Sequence, residues 1–319
     1  MFDVDSAPNI NHVSLCTGYG GIDLGLRRCL RTVRTIAASE IEAYACANLV
    51  KKMEQGLLDA CPIWTDLKTF PFASFHQKID ILSGGFPCQP FSAANAANRG
   101  ADSDPRHLWP YIVRGVKQSA PAICFFENVE GIYSAKLRGS NWADPQGTPV
   151  LLHVLRELER CGYAAESGLF SASEIGAPHQ RKRVFIMGIR ADLSDSFREH
   201  ISAELAYTDN TGSYHSSSCK VDKIRQETVK GWSELTQPQS SRCSYTRWPA
   251  GRGREQHQWE PPRLKSKVGR DFDGAASGLG ADQLHITTDS RIDELRLLGN
   301  GIVPQTAERA FRLLWSKLN

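Results

Sequence analysis

A thiol, a carboxylate and two guanidinium groups stand where their types and neighbours suit chemistry. Cys88 follows Gly84, Gly85 and Pro87 and is followed by Gln89, Pro90 and Ser92. The apolar run Ile81-Leu82 leads into it, so the cysteine falls on a shaped loop at a strand end, an address that suits a nucleophile held beside a cofactor pocket. A lone cysteine is more often a small buried hydrophobe, but the flanking prolines and glycines mark a loop rather than a core segment. Glu127 closes the apolar run 123–126, and Arg181 and Arg183 immediately precede the run 184–189. Thr17, Gly18, Gly20 and Gly21 form a turn between a strand and a helix, where backbone and helix N-terminus can approach a ligand closely. Glu40, at the end of the next strand, suits ribose hydroxyls, and Asp66 can receive an adenine amino group. Together these features fit an adenosyl cofactor and leave NAD and S-adenosylmethionine both open.

Alternating short elements must position these groups. Residues 12–16, 32–39, 79–83, 123–126 and 184–189 read as buried strands, and 22–30, 42–51 and 150–161 as helices, the last ended by Gly162. Such alternation predicts a doubly wound α/β sheet with ligands at the carboxyl ends of the strands. After about Arg190 apolar periodicity fades and Ser, Thr, Arg, Gln, Gly and Pro accumulate, which predicts a smaller lobe or a partly disordered stretch. Order returns from 291 to 318, with a turn at Gly299–Gly301 and a helix opening at Pro304. The expected division is a catalytic and cofactor-binding domain over 1–190, a second lobe over 191–284 and a returning segment over 285–319.

The 319 residues are enough for one large core and a small lobe, and a net charge of +3 leaves the choice of partner to local charge. Nine cysteines form no C-x-x-C pair, so neither a zinc site nor a disulfide framework is expected. With no apolar run near bilayer length and no signal pattern at the N-terminus, a reducing, cytoplasmic setting without membrane contact is expected.

Five segments, in order, closely resemble the motifs of the cytosine-5 DNA methyltransferase family. They are the turn from Leu15 to Gly21, the loop from Gly84 to Ser92, Phe126-Glu127-Asn128-Val129, the stretch from Gly176 to Phe185, and that from Leu298 to Gln305. Two departures stand out: Cys16 replaces a phenylalanine expected against the adenine, and His179 stands where the fourth motif has glutamine. The resemblance implies a Rossmann-like S-adenosylmethionine-dependent methyltransferase sheet with a smaller target-recognition lobe. It also implies S-adenosylmethionine as methyl donor, S-adenosylhomocysteine as product and no metal. Cys88 would attack carbon 6 of a flipped-out cytosine, a protonated Glu127 would donate toward N3, Arg183 would contact O2, and Arg181 would support the cysteine region or a phosphate. Cofactor contacts are implied for Thr17, Gly18, Gly20, Gly21, Glu40, Ile41, Asp66, Leu67, Gly84, Asn300 and Val303, with the last two closing the pocket.

Double-stranded DNA is the implied partner, with room for a cognate restriction endonuclease and for action as a monomer. Between residues 241 and 270, eight Arg and Lys residues face only Glu255 and Glu260, with Trp248 and Trp259 interleaved, a local phosphate- and base-contacting footprint. Arg247, Arg252 and Arg254 are expected to contact DNA there, and Gln89, Ser92 and Arg106 from a lid over the flipped base. Methylation of RNA cytosine, an inactive DNA-binding protein on the same fold, and a nicotinamide dehydrogenase are the competing readings. The last leaves the Pro87-Cys88 loop unexplained.

Overall fold

A computed structural model describes residues 9–87, 108–137, 148–210, 255 and 291–319. Cys88, Gln89, Ser92, Arg106, Arg247, Arg252 and Arg254 lie outside the described residues.

Period-two alternation in the central strands sorts side chains to two faces, and both faces are buried. The strands are β1 (Ile10–Leu15), β2 (Val33–Ser39), β3 (Ile63–Trp64), β4 (Ile81–Gly85), β5 (Ile123–Val129), β8 (Tyr163–Phe170) and β9 (Arg183–Arg190), in the order β3-β2-β1-β4-β5-β9-β8. A short antiparallel ribbon joins β6 (Lys136–Leu137) to β7 (Thr148–Pro149). The first five strands of the order run parallel, as expected; β9 lies antiparallel to β5, and β8 antiparallel to β9. The doubly wound α/β expectation holds for a mixed sheet, in which β8 and β9, adjacent in sequence, pair antiparallel at one edge without a crossover helix.

On one face Leu82, Cys124, Phe126, Val184 and Ile186 pack under α3 (Trp109–Ser119) and α4 (Val150–Arg160), through Ile112, Val116, Val154 and Leu158. On the other, Ile81, Ile123, Phe125, Phe185 and Met187 pack under α1 (Gly21–Cys29) and the C-terminal helix through Ile22, Leu26, Phe311 and Leu314. Helix α2 (Ala43–Glu54) follows β2. Strand β8 escaped the sequence reading because only its ends, Tyr163 and Phe170, are buried.

Residues 195–210, in the stretch where apolar periodicity fades, form helix α5 (Asp195–Asn210). Ile201 and Leu205, four residues apart, join the core, and Glu204 Oε2 accepts the amides of Arg31 (2.5 Å) and Thr32 (3.2 Å). Phe197 packs against the same core, so the contact is one apolar residue per turn (197, 201, 205), sparser than the pattern that marks an amphipathic helix.

The chain returns through α6 (Arg291–Asn300) and α7 (Pro304–Leu318), and α7 lies along α1. Their backbones meet at Gly25, where an added Cβ would stand 2.7 Å from both the Ala307 Cβ and the Pro304 carbonyl oxygen. Gly25→Ala should lower unfolding free energy by about 1–3 kcal/mol in urea melts. Gly131→Ala, where an added Cβ would meet only Val129 Cγ2 at 3.9 Å, should change it by less than about 0.5 kcal/mol. Equal effects would contradict the close helix contact.

Candidate active site

The predicted turn sits at the carboxyl end of β1, beside the ends of β2 and β4. Thr17 donates its amide to Ser39 O (3.1 Å), and Gly20 donates to Thr17 O (2.9 Å), closing the turn. Gly18 and Gly20 have φ of +58° and +85°, which favours glycine at both. At Gly21 the constraint is space: an added Cβ would stand 2.2 Å from the Ile302 carbonyl oxygen.

Glu40 organises this turn from the end of β2. Its Oε2 accepts the Gly18 amide (2.7 Å), and its Oε1 accepts those of Ile41 and Glu42 (2.9 Å each). An ionised carboxylate has about four acceptor sites, so one remains for a hydroxyl. Ile41, beside it, exposes 73% of its surface, an apolar side chain placed for a flat ring to cover. Asp66 begins a 3₁₀ turn, with Oδ1 accepting the Lys68 amide (2.9 Å), and Leu67 is buried beneath it. A hydroxyl acceptor, an exposed apolar side chain and a second carboxylate, set around a glycine turn, fit an adenosyl cofactor. Cys16 is half-buried with φ of +48°, and burial, then the charge on Glu40, pushes its thiol up to about 12. It therefore stays a neutral, compact group where the family pattern has an aromatic ring.

Strand β4 leads toward the expected nucleophile. Gly84 stands opposite Leu15, and Gly85 opposite Glu127 of β5. Asn128 donates from Nδ2 to Phe86 O (3.1 Å) and accepts the Val129 amide at Oδ1 (2.9 Å), fixing the backbone two residues before Cys88. Gly85 leaves room for the Glu127 side chain, since a Cβ there would lie 3.1 Å from Oε2. Arg183 Nε is 2.8 Å from Glu127 Oε1, a largely buried ion pair. Burial pushes the Glu127 carboxyl up to about 7 although Arg183 and Arg181 pull it down.

Two expected site residues have partners of their own. Arg181, expected beside the cysteine region or a phosphate, donates from Nη2 to the carbonyls of Leu298 (3.4 Å), Gly299 (2.8 Å) and Gly301. The three carbonyls give a half-buried guanidinium, whose charge burial disfavours, the acceptors it would otherwise lose. Val303, expected to close the cofactor pocket, is buried against Ala172 and Ala177, and its neighbour Ile302 faces Gly21 and Gly85. Asn300 is exposed at the end of α6. Tyr19 and Ile302 lie within two of the motif segments but carry no assigned role there, and Lys52 of α2 lies outside every motif.

A raised carboxyl has a stability signature. Glu127 holds its proton more tightly in the folded chain than at the ordinary 4.5, so its contribution to stability is full below about 4.5 and is lost as pH rises through about 7. Carboxyl ¹³C spectra of glutamate-labelled protein, compared with Glu127→Gln, should show a titration near pH 7 missing from the variant. A midpoint below 5 would contradict the burial argument.

Residues 10–267 match the C-5 cytosine-specific DNA methylase family. Type II methyltransferase M.PspPI of Psychrobacter sp. (strain TA137) is 30% identical over 197 residues, 60% of this chain and 42% of the relative. Type II methyltransferase M.BanI of Aneurinibacillus aneurinilyticus is 28% identical over 247 residues, 74% of this chain and 50% of the relative. The chain thus spans about half the length of these relatives. The S. pombe Dnmt2 methyltransferase has the same fold, with a TM-score of 0.56 and 18% identity over 98% of this chain and all (100%) of that one. From the first sheet strand through the glycine turn, the Glu127–Arg183 pair and beyond the last sheet strand, the chain belongs to the C-5 cytosine-specific DNA methylase family.

Proposed function

We propose that this chain is a DNA (cytosine-5-)-methyltransferase that transfers a methyl group to carbon 5 of a cytosine flipped out of a specific duplex sequence, through a covalent adduct with Cys88. The observation that carries this reading is the Glu127–Arg183 pair: a buried carboxyl able to hold a proton near neutrality, on the strand next to the one that leads to Cys88. S-adenosylmethionine would supply an electrophilic sulfonium methyl. Thr17, Gly18, Gly20, Gly21, Glu40, Ile41 and Asp66 would hold it, with Leu67, Gly84 and Val303 as buried support and Asn300 at the rim.

Cytosine carbon 5 is a poor nucleophile. Addition of the Cys88 thiolate to carbon 6 breaks the 5,6 double bond and makes carbon 5 enamine-like, dividing one hard step into two. Glu127, protonated, donates toward N3 and offsets the charge that develops on the ring; Arg183 holds that carboxyl in place and turns toward O2. After methylation a base, water in the simplest case, removes the carbon 5 proton, the double bond re-forms and Cys88 leaves. Flipping the base costs a few kcal/mol, which contacts to the opened DNA offset.

We place the recognition lobe after α5, because that helix packs on the catalytic core; the basic stretch 241–270, with Arg247, Arg252 and Arg254, then reads the duplex, and Gln89, Ser92 and Arg106 close over the base. The Type II methyltransferase names of the relatives support a modification enzyme, and we propose that it works beside a cognate restriction endonuclease, as a monomer in the cytoplasm. Among the described residues no helix is long and apolar enough to cross a membrane.

Base-resolution cytosine methylation sequencing of DNA from a methylation-deficient host expressing the chain should show modified cytosines within one short motif. Cys88→Ala should abolish the signal, and Glu127→Gln should lower the rate by about 10²–10⁴-fold, while both variants remain folded. The Glu127-dependent rate should fall as pH rises through about 7, where the carboxyl gives up its proton. An unmethylated genome from well-folded protein, or full activity without Cys88, would overturn the reading.

A further inference from the structure

Tyr19 lies inside the glycine turn yet faces away from it, with 1% of its surface exposed. Its hydroxyl donates to the carbonyl of Ile302, 283 positions along the chain. Its ring fills the space over Gly301 so closely that an added Cβ there would stand 1.7 Å from Cε1. From the other side Lys52, itself only 3% exposed, donates from Nζ to the Tyr19 carbonyl (2.6 Å) and stands 4.8 Å from the ring centroid. Burying an ammonium is costly without such an acceptor, and burial brings Lys52 down to about 8.

Ile302 connects this cluster to the reacting side. Its carbonyl abuts Gly21, and its Cδ1 lies 3.1 Å from where a Cβ on Gly85 would be, the same spot bordered by Glu127 Oε2 at 3.1 Å. Arg181 grips the carbonyls on the other side of the same turn. We propose that Tyr19, backed by Lys52, is a positioning residue that locks the cofactor turn to the Gly299–Ile302 turn, so that the methyl-donor and base sides of the pocket share one geometry before ligand binds. The inference rests on the cofactor reading of the glycine turn. Tyr19 need touch neither cofactor nor base; it acts through the backbone of Gly21 and the side chain of Ile302.

The test compares wild type, Tyr19→Phe, Tyr19→Leu, Gly301→Ala and the Tyr19→Leu/Gly301→Ala pair. S-adenosylhomocysteine affinity is measured by calorimetry, and amide exchange across 17–21 and 298–303 in unliganded protein. Losing one buried hydroxyl bond should weaken S-adenosylhomocysteine binding in Tyr19→Phe by about fivefold to tenfold and speed exchange in both segments by a similar factor, leaving β8 unchanged. Tyr19→Leu should relieve the Gly301→Ala clash, making the pair no worse than Tyr19→Leu alone, a coupling that mere packing of two independent sites would not give. Wild-type affinity and exchange in Tyr19→Phe, or additive losses in the pair, would overturn the lock. If wild type binds no S-adenosylhomocysteine, the cofactor reading fails, and the exchange rates of Tyr19→Phe alone decide the lock by the same criterion. Should Gly301→Ala not fold, Tyr19→Phe still decides it.

Discussion

The carbonyl of Ile302 lies against Gly21 where no Cβ fits, and the architecture around the pocket depends on that backbone-to-backbone contact. It brings the last described segment of the chain onto the first turn. Gly25 lets α1 and α7 close below it, and Arg28 and Glu308 pair at 2.6 Å along the same seam. Contacts this short need small residues on one partner, so the glycines of α1 serve packing as much as ligand approach.

Beneath the turn, polar groups replace hydrocarbon without a gap in hydrogen bonding. Ser14 and Thr35 donate to the two oxygens of buried Asp23 at 2.9 and 3.1 Å. His12 joins Thr35 at Nδ1 (2.9 Å) and Ser83 at Nε2 (2.7 Å). Since the Thr35 hydrogen goes to Asp23, Nδ1 of His12 donates to Thr35 Oγ1, and a neutral ring would leave Nε2 to accept from Ser83. Burial lowers the His12 pKa and agrees with that state. The network ties β1, β2 and β4 together directly below the strand ends that carry the site, and a fully satisfied network of this kind specifies register.

At the reacting side two opposed effects leave a carboxyl near neutrality. Burial favours the protonated form of Glu127, while Arg183 at 2.8 Å and Arg181 favour the anion; desolvation is the larger. A more exposed Glu127 would ionise near its ordinary value, and one without its arginines would hold its proton further up the pH scale. The useful range therefore depends on the enclosure that the C-terminal turn helps to complete.

Much of this was legible in the residues themselves. Buried β-branched and aromatic runs marked β1, β2, β4, β5 and β9, and the glycine turn, Glu40, Asp66, the Pro87-Cys88 loop, Glu127 and Arg183 were marked by type and neighbours. Local physics suffices there, because period, breakers and titratable groups at strand ends are properties of short segments. What only the tertiary structure decided was the partner of each group: Glu40 bonded to three backbone amides, Arg181 turned to the carbonyls of the C-terminal turn, Val303 packed against Ala172 and Ala177, and Tyr19 joined to Ile302. Those choices turn on distances between segments far apart in the chain, and no spacing within either segment encodes which carbonyl, or which absent Cβ, will stand opposite.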